Sequence, residues 1–351
     1  MMTIEKQIAD TIYTRINQLA QDMVSLQQMK RVDISPKYGL DDSKYREYGQ
    51  HELHQLAEAM TANNPPQFAR YITWQRSMLR GHLVPDFFVE LQLAAEQTVL
   101  LSAFSSEYHP TILKFLQAAR EALREVDNSS LSFLPDTGLK EVVEPYIKAL
   151  LAGDRAEAAD IIMSAINNQV SIRDIYLGVF KPCLYEVGRL WQTGQITVAH
   201  EHYFSAATQL IMSELYPLIH RQANKNGRIA VAACGAGELH EIGLRMSADL
   251  LELEGWRTYY LGANMPAMSI IEIAGEKKAQ ILALSMCLPI NGPALRALIS
   301  LAREKLGNQV KIIIGGYIIS ADPVYAASFG ADAAATDAGE TPAIAVRLLG
   351  G

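Results

Sequence analysis

Apolar residues recur at three- and four-residue intervals from Ile4 to about Arg124, the period of helices that each bury one face. "IADTIYTRINQLAQDMVSLQQM" is one such run, and "FVELQLAAEQTVLLSAF" and "PTILKFLQAAREAL" repeat the pattern further on. Between them, "KRVDISPKYGLDDSKYREYG" is turn-rich and breaks the period. "DNSSLSFLPDTG", residues 127–138, reads as a linker, which sets an N-terminal helical domain at 1–126. A second helical set begins at Leu139. "LKEVVEPYIKALLAG" stops at Gly153, and "DRAEAADIIMSAINN" starts on Asp154, an N-cap residue type. "SIRDIYLGVFKPCLYEVGRLWQTG" stops at Gly194, and "ITVAHEHYFSAATQLIMSELYPLI" supplies a fourth helix. Their short connections predict antiparallel neighbours, a four-helix bundle over 139–222.

After the polar "HRQANKNG" the period changes again. "RIAVAAC", "RTYYLG", "ILALSMC", "KIIIGG" and "DAAAT" are short apolar runs separated by helical stretches. Strands that are apolar on both faces and alternate with helices predict a doubly wound parallel sheet of about five strands over 227–351. The fold class is therefore α plus α/β. Such a sheet takes its ligand beyond the carboxyl ends of its strands, near the point where strand order reverses. His240 sits just past the first strand, in "CGAGELHEIGLRM".

Composition narrows the function. A length of 351 residues allows two or three domains. The net charge of −7 and a pI near 5.7, with no run of Lys and Arg, argue against a nucleic-acid partner. Cys183, Cys234 and Cys287 are widely spaced and match neither a disulfide framework nor a CxxC metal site. The N-terminus lacks the apolar core and cleavage site of a signal peptide. No apolar run reaches the roughly 18 residues that span a bilayer. A cytoplasmic, membrane-free protein is expected.

Taken alone, His240 reads as a solvent-exposed histidine at a helix start. "GAGELHEIG" also carries a trace of a phosphate-binding GxGxxG loop, but the third glycine is out of place and a bulky Glu-Leu-His fills the turn. A further reading comes from Glu238-Leu239-His240-Glu241-Ile242-Gly243, which resembles the E/D-x-H-x-x-G signature of cobalamin-binding domains. That signature continues with S-x-L and Gly-Gly on later strands, and here Ser285-Met286-Cys287 and Gly315-Gly316 stand at about those intervals. Cys287 replaces the family's leucine. The resemblance implies a flavodoxin-like or Rossmann-like sheet in which His240 ligates cobalt and Glu238 fixes its tautomer. Ser285, Gly315 and Gly316 would line the slot for the cofactor's nucleotide tail, and Cys287 would keep a small apolar group among the cofactor contacts. Neutral imidazole suits cobalt, and a carboxylate accepting the other ring N–H is the usual partner.

In the bundle, Trp191 ends the third helix, and Glu201 and His202 fall in the first turns of the fourth. By themselves they read equally as a core tryptophan and a solvated pair. The W-x9-E-H arrangement is similar to the cap of cobalamin-dependent photoreceptors, known from light-responsive regulators. That resemblance implies adenosylcobalamin, with Trp191, Glu201 and His202 around its adenosyl group, and a light response in which the bundle repacks. Gln192 stands where those regulators carry a cobalt-capturing histidine, and an acidic helical domain replaces their DNA-binding one. Photoreceptors without a DNA-binding domain, the photocobilins, also bind a bilin such as biliverdin. His51, His54, Tyr45, Tyr48, Tyr71, Trp74 and His82 are candidate contacts for it, or equally an ordinary core and its solvated face. The sensor reading implies a homo-oligomer and a downstream signalling protein. The alternative is a corrinoid methyl carrier of a methyltransferase system. Such carriers typically read DxHDIGKN, where this chain has Glu238, Glu241 and Leu244. A radical mutase would need a barrel domain, and no segment supplies one.

Overall fold

The computed structural model describes residues 2–29, 41–125, 131–134, 138–222 and 225–350. Most of the expected 127–138 linker lies outside the described residues. The chain divides into two compact units, one built chiefly from residues 1–131 and the other chiefly from residues 132–351.

The first unit is helical: α1 (Ile4–Met29), α2 (Asp42–Thr61), α3 (Pro65–Gly81), α4 (Phe87–Ala103) and α5 (His109–Ala122). Their apolar faces meet in a core that includes Ile8, Leu53, Phe68, Phe88 and Phe115. Helix α2 starts inside the segment whose composition predicts turns. The reason is local, because the Asp41 carboxylate accepts from the Lys44 N–H at 2.9 Å and caps the first turn.

The second unit holds a bundle and a sheet. The bundle comprises α6 (Lys140–Leu151), α7 (Arg155–Asn167), the short α8 (Ile172–Ile175) and α9 (Lys181–Gln192), with α10 (Val198–Gln222) last. A π-helical stretch, Tyr176–Phe180, joins α8 to α9. Asp154 caps α7 as its sequence predicts, accepting from Glu157 N–H at 2.9 Å. The sheet has five parallel strands, β1 (Ile229–Cys234), β2 (Arg257–Tyr260), β3 (Ile281–Ser285), β4 (Lys311–Gly315) and β5 (Ala333–Ala334), in the order β2-β1-β3-β4-β5. Each lies where the sequence expects a strand. The connecting helices are α11 (Ile242–Leu253), α12 (Ala267–Glu276), α13 (Gly292–Leu306), α14 (Tyr317–Ala321) and α15 (Pro323–Ala327), and α16 (Thr341–Leu348) ends the chain.

Bundle and sheet share a core, since Met246 and Leu250 of α11 are buried among bundle side chains. Polar bonds pin the same seam. The Tyr176 hydroxyl donates to Asp249 at 2.7 Å, Arg173 donates to the Gly339 carbonyl at 2.6 Å, and Lys181 pairs with Asp337. Burial holds Asp249 up at about 6. A π-bulge shifts the helix face by about one residue, which is a common device where a helix must aim a side chain. Here it carries Tyr176 at the seam.

Candidate functional site

The sheet order reverses between β1 and β3, and the loops after those two strands build the site. Cys234, Ser285 and Gly315 lie in one row across β1, β3 and β4, at their carboxyl ends. Gly235 and Gly237 turn the chain out of β1, with Gly237 at φ +85°, and His240 follows before α11 begins.

Glu238 organises this loop. Its carboxylate is 1% exposed yet fully engaged. One oxygen accepts from the His240 ring Nδ1 at 2.6 Å and the His240 N–H at 2.9 Å. The other accepts from the Cys287 N–H at 2.8 Å and the Asn291 side-chain amide at 3.0 Å. Burial alone would raise this carboxyl, but the bonds from His240 and Cys287 outweigh it and pull it down to about 2. The same bond raises His240, against its own burial. Because Nδ1 is turned to Glu238, the free lone pair of a neutral His240 lies on Nε2. The side chain is half exposed, so that nitrogen is offered outward.

Ser285 is buried at the end of β3. Gly316 has φ +105°, and a Cβ there would lie 2.3 Å from the Met286 carbonyl oxygen, so only glycine fits. At Gly315 a Cβ would meet the Ala335 carbonyl oxygen at 3.6 Å, which leaves ordinary room. Cys287 is partly buried, and burial together with the Glu238 charge pushes its thiol up to about 12. The Sγ of Cys287 and ligand atoms of Glu238 and His240 all lie within 4.8 Å of one another. Leu239 is exposed, and Ile242 opens α11, with Gly243 next. Glu241 accepts from the Tyr260 hydroxyl at 2.8 Å and from the Gln209 amide of α10 at 3.3 Å. Arg245 donates to the Gln209 carbonyl at 3.1 Å and to Ser213 at 2.9 Å.

At the bundle end, Trp191 is partly buried near the end of α9. Glu201 and His202 pair at 2.7 Å in the first turn of α10, with His202 the more exposed. The Glu201 charge adds a small part to the raised proton affinity of His240, after the Glu238 bond and charge. In the other unit the aromatic and histidine candidates make ring contacts of an ordinary core. Tyr45 and Tyr48 both pack on Phe88, Tyr71 stacks on Trp74 and His54 lies edge-on to Tyr13. His82 turns its Nδ1 to the Met78 carbonyl, and His51 is exposed.

Asn291, Tyr260, Gln209 and Arg245 belong to this site and carry no sequence signal. Each is an ordinary residue until the strand order brings its loop or helix to Glu238 or Glu241. The donor set fits a cobalt corrinoid. A histidine offers one nitrogen outward while a buried carboxylate holds the other, and small residues follow at the ends of the adjacent strands.

Comparison with known proteins agrees. Residues 142–216 and 228–347 each match a family model described as B12 binding domain. Dimethylamine corrinoid protein 1 of Methanosarcina acetivorans is 29% identical over 167 residues, 47% of this chain and 77% of that protein. The HTH-type transcriptional repressor CarH of Myxococcus xanthus is 26% identical over 173 residues, 49% of this chain and 56% of that protein. The structure of the Methanosarcina barkeri monomethylamine corrinoid protein superposes with a TM-score of 0.54 at 21% identity, covering 60% of this chain and all of that one.

Proposed function

From the premise that two B12 binding domains make this a cobalamin-binding protein, we propose that it is an adenosylcobalamin-holding light sensor. The observation that carries this reading is that α10, the helix that begins with Glu201, is hydrogen-bonded to the ligand loop, Gln209 donating to Glu241 and Arg245 donating to the Gln209 carbonyl and Ser213. On this reading the Trp191–Glu201 hairpin would cover a group seated on His240. Adenosylcobalamin, when bound, supplies a cobalt–carbon bond that visible light breaks.

The chain's own residues do the rest. Glu238 accepts a hydrogen bond from the Nδ1–H of His240, which would leave Nε2 as the cobalt ligand, while Leu239, Glu241, Ile242 and Gly243 shape the loop around it. Ser285, Gly315 and Gly316 would border the slot for the nucleotide tail, and Cys287 would keep a small apolar group among the cofactor contacts. Trp191 would pack on the adenosyl group, Glu201 would accept hydrogen bonds from it and His202 would lie alongside. The contacts from Gln209 to Glu241 and from Arg245 to α10 tie the ligand loop to the helix that carries Glu201. Loss of the group that Trp191 and Glu201 would hold would thereby be passed to the packing of α10. The helical first unit is the place for a bilin such as biliverdin, and a homo-oligomer and a signalling partner would read the change. Localisation in the cytoplasm is part of this reading; among the described residues no helix is long and apolar enough to cross a membrane.

The second reading is a corrinoid methyl carrier, favoured by the names of several relatives. Against it stands architecture. Dimethylamine corrinoid protein 3 of Methanosarcina mazei aligns over 98% of its length with only 47% of this chain, so about half of this chain has no counterpart in that carrier. The test is an absorption spectrum of the reconstituted protein in the dark and after green light, with and without biliverdin. Conversion of bound adenosylcobalamin to another bound form supports the sensor, and a red-absorbing band supports the bilin. Acceptance of methylcobalamin with no protein-controlled light response supports the carrier.

A further inference from the structure

Cys287 occupies a position where the cobalamin-domain signature has leucine, and it brings a thiol to the ligand loop. Its Sγ, a Glu238 oxygen and a His240 ring nitrogen lie within 4.8 Å of one another. We propose that in the cobalamin-free protein Glu238, His240 and Cys287 bind a zinc-class divalent cation, and that this cation and histidine-ligated cobalamin exclude each other.

The donor set decides the class of ion. One thiol, one imidazole and one carboxylate are the ligands zinc takes, and three protein ligands leave a fourth position for water. Ligand atoms of tetrahedral zinc sit roughly 3.5 Å apart, given bonds of about 2.0–2.3 Å. The three atoms here already bracket that spacing, and Glu238 and His240 at 2.6 Å need only separate slightly. Glu238 is held in place from its other side by the Cys287 N–H and Asn291, so the carboxylate is positioned before any ion arrives. Binding forms Zn–O, Zn–N and Zn–S bonds. The thiol proton of Cys287 goes to solvent, because a coordinating thiol is bound as thiolate.

Exclusion follows from imidazole chemistry. A cation between Glu238 and Cys287 meets the ring at Nδ1, the nitrogen already turned to Glu238. A neutral imidazole has one unprotonated nitrogen. With the cation on Nδ1, the ring proton moves to Nε2, and the lone pair that would ligate cobalt is gone. This second clause rests on His240 being the cobalt ligand; the cation site itself does not.

The probe is Co2+ added to the full-length, cobalamin-free chain. The expected result is one equivalent bound with a thiolate-to-metal charge-transfer band in the near ultraviolet. Cys183 and Cys234 are fully buried and are not alternative sources of that band. Zn2+ should bleach it. C287L, and C287S as a second variant, should lose the band and weaken Zn2+ binding by at least the roughly 10–100-fold that removal of an outer-shell partner costs a metal site. Circular dichroism checks that both variants fold. Hydroxocobalamin titrated into the Zn2+-loaded protein should release the metal in step with uptake. Absence of a thiolate band in the wild-type chain overturns the site. A band with cobalamin uptake that leaves Zn2+ bound and His240 on cobalt overturns the exclusion, and it does so without touching the light-sensor reading.

Discussion

Glu238 and Glu52 are the same residue type at almost the same exposure, 1% and 0%, in different units of the chain. Their surroundings are opposite. Glu238 receives donors on both oxygens and is pulled down to about 2. Glu52, on α2, lies against Glu96 of α4 and Gln75 of α3, whose side chains offset its burial only in part, and among the described residues neither carboxylate has the set of N–H donors that surrounds Glu238. Burial raises Glu52, and burial with the neighbouring Glu52 charge raises Glu96. The comparison teaches that burial does not fix a carboxyl's charge; the count of N–H groups aimed at it does. One site is built around an anion that orients a histidine, and the other holds a pair of acids that burial makes harder to ionise than an ordinary glutamate.

The largest way to sharpen this contrast is to remove what the anion orients. His240→Ala should abolish histidine ligation of cobalt and weaken cobalamin binding on the order of 100-fold, about 2.7 kcal/mol. Calorimetric titration with hydroxocobalamin reads the loss, and an unchanged affinity would break the assignment. Next comes Glu238→Gln, which keeps an acceptor oxygen but removes the charge and places an N–H among donors. Roughly a 10-fold loss in affinity is expected, with the ring no longer held in one tautomer. The same titration measures it.

For the buried acid pair the sign is reversed. A carboxyl raised in the folded state binds a proton that the unfolded chain releases above about pH 4.3, so its contribution to stability is greatest in acid and falls as pH rises. Glu52→Gln with Glu96→Gln should therefore leave stability near pH 5 almost unchanged. Near pH 8 it should gain on the order of 1–3 kcal/mol. Thermal melts across that range test this, and parallel curves for the two proteins would contradict it. The smallest effect is expected at the bundle–sheet seam. Tyr176→Phe removes the donor to buried Asp249 and should cost about 1–1.5 kcal/mol, read as a lower midpoint in urea.

Much of the architecture was legible because period is a local property. Five short apolar runs became five strands, and Asp154 capped α7 where it stands in the sequence. The start of α2 was not legible, since composition alone does not separate an N-cap aspartate from a turn aspartate. At the site, the Glu238–His240 pair could be read from a spacing of two residues. Asn291 could not, and Cys287 could be read only as part of the Ser285-Met286-Cys287 match and not as a donor to Glu238, because both reach that carboxylate only through the adjacency of β1 and β3. The buried pair in α2 and α4 was hidden for the same reason. Glu52 and Glu96 look like the polar face of two helices until packing turns that face inward.

The central claim is that His240 Nε2 ligates cobalt while Glu238 holds Nδ1. Electron paramagnetic resonance of the Co(II)-cobalamin-loaded protein tests it most directly, comparing unlabelled chain with chain carrying 15N only in histidine. The account predicts that the nitrogen splitting on cobalt changes from triplet to doublet on labelling and is lost or replaced in His240→Ala. A triplet that persists in the labelled protein would mean that the nitrogen on cobalt is not a histidine's, and would contradict it.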